Sequence, residues 1–600
     1  MAHPRQRPET PSAKPHNDPP AAVRLGYHSR PMSATRQASR GALWLLQAPA
    51  AAWLLTVSVV VLGALAIEGD RYLHDEGLLT WYFAQMTATE PAALLFFQKS
   101  RPLLSLLYAP LELLGLGLTS FLVVHTLVAA AALPLLAATA RKLGLGKTAN
   151  LAPALLATSA LWFACGPAGV SNSDAVTGLS LVVYLWIVRD RPLAAGALLG
   201  ALLFARSELA LFAVGLGLFS LFHPRTSVRL ALGLPLIPAL YALCGALYHH
   251  DLLWALHFPP ALPAPPPETP RFGAGGYGAE LGTTLIAILS LTPGLLLLPA
   301  LPLRPRGPWR MSAKAATLVG DASAVADDPR LRLFAALALA YLAAIRGLPI
   351  LGLFNFDDSP RYLLPALPCA ALALALIARR WSDADVGRRA TLTLAIWLAL
   401  AVVGEAEAGP LPLVTAALLF GILALARGGR PLLAGVALLL TSAATAPLLE
   451  PTTRMRRADN DPDLPALSAW LIDHPEHQTT ALVTNIPVLD AWLRRQGVET
   501  GPVYYLLGTD QDYELEELSN AAVDQREALH RGIERTFYGR PLLPPRAPTD
   551  GPKRPRLFIL NDDDRLDGSL PPDLWRGRLE PVATLGRLRI AVDQTAPPAP

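Results

Sequence analysis

Long apolar runs separated by short basic clusters are the feature that most constrains this chain. Runs such as 49–67, 119–140 and 193–222 carry almost no charge, and only 16% of the 600 residues are Asp, Glu, Lys or Arg. Soluble domains carry about 25% charged residues, so this composition excludes a purely soluble protein. At ~20 residues per span, the pattern predicts a polytopic α-helical membrane protein with about thirteen transmembrane helices.

The charge pattern also predicts which side of the membrane each segment faces. Residues 1–40 are rich in Pro, Ser and Arg and predict a disordered basic cytoplasmic tail. The first apolar run lacks a cleavage pattern and is typical of an uncleaved signal anchor. Basic clusters then recur at the positions expected of cytoplasmic loops. An odd number of spans places the C-terminus outside, and we expect a plasma (bacterial inner) membrane location.

Two apolar stretches do not fit a single span. Residues 193–222 have cytoplasmic-type charge at both ends, so the chain must turn back at Arg206-Ser207-Glu208. Each arm of about 14 residues is ~21 Å long, which is shorter than a ~30 Å hydrocarbon core and predicts a recessed turn. Residues 102–118 are predicted to form a helix in the outer face, followed by a span at 119–140.

The composition changes after residue 448. Residues 449–600 hold 24 of the 47 acidic residues but only 18 of the 51 basic ones. Helical patterns at 464–474 and 487–496 alternate with β-rich runs and predict a small extracytoplasmic α/β domain. The predicted organisation is therefore a tail at 1–40, a transmembrane domain at 41–448 and this domain at 449–600. The β-rich runs are 481–483, 557–560 and 587–592.

Carboxylates are concentrated in the predicted outward loops. Asp75 and Glu76 lie together in the first outer loop, 68–101, and Asp174 follows the third span. A carboxyl group near lipid can act as a general base, because burial raises its pKa towards neutrality. The alternatives are a solvated loop for the pair and a helix N-cap for Asp174.

Cations recur at the same predicted face. Lys99 and Arg101 end the first outer loop, and Arg361-Tyr362 opens a late span, where cationic side chains suit phosphate groups. The alternatives are head-group snorkelling for the loop cations and a surface pair of Arg361 with Asp358. Arg206 and Glu208 are ionisable groups within apolar sequence, which indicates a functional site or a mutual pair.

Histidines in the loop at 249–280 raise the question of a metal. His249, His250 and His257, with Asp251, could ligate a divalent ion. Stray histidines in a proline-rich loop are the alternative, so a divalent metal remains open. The three cysteines lie in apolar runs and offer neither a disulfide framework nor a thiolate zinc cluster.

The ordered set of motifs resembles the GT-C superfamily of membrane glycosyltransferases over about residues 45–380. Within that superfamily it resembles the protein O-mannosyltransferase and lipid A aminoarabinose transferase group. The resemblance implies an inverting transfer of a hexose or pentose from a polyprenyl-phosphate donor to a glycan, lipid or protein acceptor on the outer face. The matching features are Asp75-Glu76, the segment from Phe97 to Leu103, Asp174, the Gly196 and Gly200 span ending at Arg206, and the segment from Arg361 to Pro365.

The same resemblance implies residue roles. Asp75 corresponds to the catalytic base, and Glu76 and Asp174 would orient the acceptor or the base. The donor phosphate would be held by cationic and polar residues, namely Lys99, Arg101, Arg206, Arg361 and Tyr362. Gln98 stands where the family often has Glu, which puts a metal site in doubt. The inserted Ser100-Arg101 leaves the alignment of Lys99 against Arg101 open.

A transporter or flippase for a lipid-linked or anionic substrate is the competing interpretation. Such proteins are expected to show inverted repeats and broken helices at the membrane midplane. The sequence has no visible repeat, and its ionisable groups gather at one predicted face. A scaffold whose outer domain binds a partner is a third alternative. The expected partners are therefore a lipid-linked sugar, its acceptor and membrane lipids, with no nucleic acid.

Overall fold

The structure is a computed structural model of the chain, and it describes the membrane part more fully than the C-terminal part. The described residues are 49–68, 75–89, 91–95, 101–222, 224–253, 284–289, 291–301, 329–350, 360–380, 384–403, 411–427, 431–448, 463–478, 481–484, 489, 493, 496–498, 503–505, 556–561, 579–586 and 588–593.

Helices dominate the described residues up to 448. The α-helices are α1 (Pro49–Glu68), α2 (Asp75–Thr89), α3 (Pro102–Leu113), α4 (Gly117–Ala130), α5 (Ala132–Lys142), α6 (Leu151–Ala157), α7 (Ala160–Cys165), α8 (Ser171–Ile187), α9 (Pro192–Leu202), α10 (Ala210–Phe222), α11 (Pro224–Gly233), α12 (Leu236–His249), α13 (Pro329–Ile350), α14 (Leu367–Arg379), α15 (Ala384–Val403), α16 (Leu411–Arg427) and α17 (Pro431–Leu448). Short 3₁₀ helices lie at Pro91–Leu95, Gly146–Thr148, Ser207–Leu209, Pro293–Ala300 and Pro360–Ala366.

Four helical segments among the described residues are long and apolar enough to cross a membrane. They are Ala50–Ile67, Gly117–Lys142, Val228–Tyr248 and Pro360–Arg379. Several apolar helices are shorter, including α3 and α9. The helical membrane-protein character predicted from composition is confirmed, and the number of thirteen spans stays a prediction.

Both irregular apolar stretches have the local structure that the sequence predicts. The 193–222 stretch is two short helices, α9 of 11 residues and α10 of 13, joined through Arg206 and the Ser207–Leu209 turn. Helix α3 is separate from the 26-residue span Gly117–Lys142 that follows it. The turn at Arg206 is therefore confirmed as a break in the helix, with its side chain buried.

Helix α14 lies inside the protein. In the span that contains it, 89% of the most apolar window is buried, and every residue from Leu367 to Ala378 is buried. Its small and aliphatic side chains allow neighbouring helices to pack on all sides. The 3₁₀ segment Pro360–Ala366 leads into this helix, so Arg361 lies at the end of an enclosed helix.

Small residues allow α9 and α11 to approach closely. A Cβ atom at Gly196 would meet the backbone carbonyl oxygen of Leu230, and one at Gly233 would meet that of Leu193. Gly200, one turn after Gly196, faces the carbonyl of Leu234 in the same way. Spaced small residues of this kind let helix backbones pack together in membranes. This contact holds α9 in place just before the turn at Arg206.

A five-stranded mixed sheet forms the described part of 449–600. Its strands are β1 (Ala481–Thr484), β2 (Val503–Tyr505), β3 (Arg556–Asn561), β4 (Leu579–Leu585) and β5 (Leu588–Asp593), in the order β2-β1-β3-β5-β4. Strands β1, β2 and β3 run parallel, whereas β5 pairs antiparallel with β3 and β4. Helices α18 (Asp463–Asp473) and α19 (Pro475–Gln478) precede them.

Several of the elements predicted for this region coincide with described helices and strands. The helix at 464–474 and the three β-rich runs are present, whereas β2 and β4 had no clear sequence signal. The predicted helix at 487–496 lies mostly outside the described residues, as does the tail at 1–40. The assignment of 449–600 as a separate α/β domain outside the membrane stays a prediction.

The close contact between α9 and α11 predicts that Gly196→Ala destabilises the protein. The added methyl group must displace the Leu230 carbonyl, at a cost of about 1–3 kcal/mol. The matched control is Gly421→Ala in α16, where a Cβ meets nothing within 4 Å, and alanine there should gain up to about 1 kcal/mol of helix propensity. Thermal unfolding in detergent measures both. Equal unfolding temperatures for the two variants would contradict the packing argument.

Candidate functional site

Five chain segments meet at the carboxylate of Glu76. Glu76 is the second residue of α2, Arg101 precedes α3, and Ser171 is the first residue of α8. Arg206 lies in the turn between α9 and α10, and Arg361 lies in the 3₁₀ segment before α14. Each residue stands at the end of a helix, where the direction of the chain changes. Segments far apart in sequence therefore contribute to one polar site.

The carboxylate of Glu76 is buried and accepts several hydrogen bonds. Its Oε1 atom lies 2.7 Å from Arg101 Nη1 and 2.8 Å from Arg206 Nη1, and it also accepts the Ser171 hydroxyl. Its Oε2 atom lies 3.3 Å from Arg361 Nε. Only 5% of the Glu76 side chain is exposed, so solvent screens these interactions little. Glu76 is therefore the anion that holds three arginines together.

Arg206 is an internal member of this cluster. Its Nε and Nη2 atoms each lie 2.6 Å from Glu208 Oε1, and its Nη1 atom bonds both Glu76 and the Ser171 hydroxyl. The mutual pairing of Arg206 and Glu208 that the sequence left open is thus present, together with a second carboxylate. A guanidinium with this many acceptors is fixed in one orientation.

Arg361 and Tyr362 form the side of the cluster that is attached to α14. The Tyr362 ring lies 4.7 Å from the guanidinium carbon of Arg206 and 5.5 Å from that of Arg361. An aromatic face at this distance attracts a cation, so the ring supports both arginines. The backbone carbonyl of Tyr362 accepts a 2.8 Å hydrogen bond from the Tyr341 hydroxyl on α13. This bond fixes the 3₁₀ segment.

Arg101 adopts a left-handed backbone conformation directly before a proline. Its φ of 49° and ψ of 68° are uncommon for a residue with a side chain, and a following proline restricts the backbone further. Its carbonyl accepts the Leu104 and Ser105 N–H groups and begins α3. Such strain persists only where surrounding contacts impose it. Burial lowers the pKa of the Arg101 guanidinium, and Glu76 partly offsets this shift.

The arginines differ in how much of each side chain is exposed. The exposed fraction is 23% for Arg101, 16% for Arg361 and 4% for Arg206. A ligand outside the cluster can reach the first two guanidiniums more readily than the third. Arg101 and Arg361 are therefore the accessible guanidiniums of the cluster, and Arg206 is enclosed within it.

A second buried polar cluster surrounds Asp174 in the first turn of α8. Its Oδ1 accepts the Tyr108 hydroxyl at 2.5 Å, and its Oδ2 lies 2.8 Å from His125 Nε2. The other ring nitrogen of His125 lies 2.7 Å from the Gly166 carbonyl oxygen. All three side chains are buried. The N-cap interpretation of Asp174 does not describe these contacts, which join α3, α4 and α8.

The predicted site residues divide into three groups. Glu76, Arg101, Arg206, Arg361 and Tyr362 come together in one cluster, and Asp174 lies one helical turn from Ser171. Asp75 begins α2, but its side chain lies outside the described residues, as do Lys99, Asp358 and His257. His249 is the last residue of α12, and its side chain lies outside the described residues, whereas His250 is exposed.

Within the described residues, no three His, Cys, Asp or Glu side chains are placed to hold a metal ion.

Sequence reasoning missed Tyr108 and His125. His125 lies in the apolar run of α4, where an ionisable residue defaults to a functional hypothesis with a named partner, so a signal was present. Tyr108 carried no such signal, because an aromatic residue in an apolar helix usually belongs to the core. The pairing of both with Asp174 depends on helix packing that no local pattern specifies.

Comparisons with known proteins return structural similarities only. No family model and no curated protein sequence matches the chain. A structure of ArnT from Cupriavidus metallidurans bound to undecaprenyl phosphate is similar at 14% sequence identity and a TM-score of 0.47, covering 91% of this chain and 99% of that one. The apo structure of the same protein is similar at 14% identity and a TM-score of 0.43, with 92% and 100% coverage.

The position of Glu76 predicts that Glu76→Gln destabilises the folded protein. The substitution removes the carboxylate that the three guanidiniums share, whereas Glu208 still pairs with Arg206. Breaking a buried pair by removing one partner costs about 3–5 kcal/mol. Unfolding of the purified protein in detergent measures the loss, with the exposed Glu476→Gln as the matched control. An unfolding temperature equal to that of the control variant would show that the cluster does not depend on this carboxylate.

Proposed function

We propose that this protein is an inverting glycosyltransferase that uses a polyprenyl-phosphate sugar as donor. The acceptor is a hydroxyl of a glycan, lipid or protein on the outer face of the plasma membrane. The observation that carries the proposal is the convergence of Arg101, Arg206 and Arg361 on Glu76, with two of the guanidiniums partly exposed. The sequence resemblance to GT-C glycosyltransferases supports the same function.

The charge of the cluster suits a phosphate ligand. Three guanidiniums and the two carboxylates Glu76 and Glu208 leave this described set with one excess positive charge. A planar guanidinium presents donors in a fork that matches two phosphate oxygens. Arg101 and Arg361 would hold the donor phosphate, and Arg206 would keep their anchor Glu76 in place.

The same charge would accelerate the reaction itself. As the bond between the anomeric carbon and the phosphate oxygen breaks, the phosphate gains a negative charge and leaves as polyprenyl phosphate. Fixed cations stabilise charge that develops in the transition state more than charge present in the ground state. The leaving group then needs no general acid. The acceptor hydroxyl, by contrast, must lose a proton as it attacks.

Asp75 is the proposed base for that proton. It directly precedes Glu76 at the start of α2, so the fixed carboxylate of Glu76 holds its backbone beside the cations. A base next to the phosphate-binding groups would let the hydroxyl attack the anomeric carbon opposite the leaving oxygen, which inverts its configuration. Glu76 itself is engaged with arginines and is better suited to positioning than to proton transfer.

A polyprenyl-linked donor is proposed because the site is expected to face outward. Nucleotide sugars are cytoplasmic, whereas a polyprenyl-linked sugar can be presented at the outer leaflet. The positive-inside pattern supports a cytoplasmic N-terminus, about thirteen spans and an outer location for the C-terminal domain. Lys99 remains a further proposed phosphate contact.

The central test is Asp75→Asn. Purified full-length protein in detergent is incubated with a panel of radiolabelled polyprenyl-phosphate sugars and candidate acceptors. Wild-type protein should consume one donor and release polyprenyl phosphate. Asp75→Asn should reduce turnover at least ~10²-fold, because the base is lost, with an unchanged unfolding temperature. The exposed Asp473→Asn is the matched control and should turn over normally.

Other outcomes would contradict the proposal. Full turnover by Asp75→Asn would remove the assignment of the base. Transport of the intact donor across reconstituted vesicles by wild-type protein, without consumption, would favour the flippase interpretation.

The anion-contacting role of Arg361 gives a separate prediction. Arg361→Gln should lower kcat/KM by about 10²-fold, because one fixed cation no longer stabilises the leaving phosphate. The exposed Arg389→Gln in α15 controls for the loss of an arginine. Steady-state kinetics with the donor found above measures both variants. A value of kcat/KM for Arg361→Gln within twofold of the control would exclude Arg361 from the phosphate site.

A further inference from the structure

We infer that Tyr108 and His125 are positioning residues that act through Asp174 to hold Arg101 and Ser171 in the site. In this arrangement Asp174 contacts no substrate and exchanges no proton with it. This assigns roles to two residues that the sequence analysis did not identify, and it replaces the proposed acceptor-orienting role of Asp174. The inference rests on the proposed function for its kinetic consequences, but not for its structural ones.

The geometry of the network supports a positioning role. Both oxygens of Asp174 are engaged, one by Tyr108 at 2.5 Å and the other by His125 at 2.8 Å. The Tyr108 ring packs edge-on against Phe121, with centroids 4.9 Å apart. The three polar side chains are at most 5% exposed, so no substrate group competes for them from solvent. A fully satisfied buried network of this kind fixes the elements that it joins.

The positions of the shared protons explain why the network of Tyr108, His125 and Asp174 is stable in an apolar environment. The Gly166 carbonyl can only accept, so His125 Nδ1 carries a proton. One further proton lies between His125 Nε2 and Asp174 Oδ2, bound to one or the other. In either case the His125–Asp174 unit has no net charge. It therefore avoids the large cost of an isolated charge in an apolar core.

Two members of the network are connected to the Glu76 cluster along the backbone. Tyr108 lies about two helical turns after Arg101, whose carbonyl begins the same helix, α3. Asp174 lies about one turn after Ser171, which bonds Glu76 and Arg206. The network thus fixes the direction of both helix ends that carry cluster residues.

His125 adds a third connection. It holds the carbonyl of Gly166, in the segment that links α7 to α8. Ala168 in the same segment lies against Gly77, where an added Cβ would meet the Ala168 carbonyl oxygen. Gly77 directly follows Glu76 in α2. The segment fixed by His125 therefore supports the backbone that carries Asp75 and Glu76.

The substitution Asp174→Asn distinguishes a positioning role of Asp174 from a direct role in the reaction. In Asp174→Asn, the amide oxygen can accept the Tyr108 hydroxyl, and the amide N–H can donate to a neutral His125 Nε2. Every hydrogen bond of the network is then retained without a carboxylate. In Asp174→Leu, a side chain with the same number of heavy atoms retains none of them. A residue that only positions others should tolerate the first change and not the second.

The kinetic test compares these variants in full-length protein with the consumed donor. Asp174→Asn should keep kcat and donor KM within about threefold of wild type. Tyr108→Phe should raise donor KM about fivefold with little change in kcat, because the hydrogen bond that joins α3, the helix following Arg101, to Asp174 is lost. Asp174→Leu should raise donor KM about tenfold or more. Tyr184→Phe on α8 is the matched control for the loss of a tyrosine hydroxyl and should behave as wild type.

Hydrogen–deuterium exchange supplies a readout that needs no turnover. Amides of Pro102–Leu113 should exchange faster in Tyr108→Phe and Asp174→Leu, and at the wild-type rate in Asp174→Asn. If the exchange rates follow this pattern but wild-type protein consumes no donor, the proposed function is rejected and the positioning role of the network is retained. Loss of turnover in Asp174→Asn with normal exchange would assign a chemical role to Asp174 and overturn the inference. Unchanged exchange in Asp174→Leu would also overturn it.

Discussion

The structure around the site depends on one buried carboxylate. Three guanidiniums cannot lie within a few ångströms of one another in an apolar environment unless negative charge compensates for them. Glu76 provides this compensation from the start of α2, where the helix dipole also favours a carboxylate. Glu208 does the same for Arg206 alone. The helix ends that carry these cations therefore have to meet at Glu76, and their meeting determines how α2, α3, α9 and α14 are arranged.

Much of the fold could be predicted because local patterns specify it. Apolar length and charge predicted a helical membrane protein, and the short arms on either side of Arg206 predicted a break inside 193–222. The β-rich runs at 481–483 and 557–560 predicted strands of the C-terminal sheet. The strand Val503–Tyr505 was not predicted, because three residues give too short a period to recognise.

The site could be predicted only as a set of residue types. An acid in a loop near lipid and arginines at the ends of apolar runs indicated ionisable function. The sequence could not show that Glu76, rather than an adjacent acid, would hold the arginines, because that choice depends on packing between distant helices. The same limit applies to Tyr108 and His125, which are separated from Asp174 by 66 and 49 residues. Only the close packing of α3, α4 and α8 reveals their connection.

The two partly exposed arginines, Arg101 and Arg361, precede helices that differ in how deeply they are buried. Arg361 leads into α14, which is enclosed by protein on nearly all sides. Arg101 begins α3, whose opposite face carries the exposed leucines Leu106, Leu107 and Leu113. One cation thus precedes a helix that is enclosed by protein, and the other precedes a helix with an exposed apolar face. A lipid or detergent molecule that packs against these leucines therefore contacts the helix that follows Arg101 and not the enclosed helix that follows Arg361.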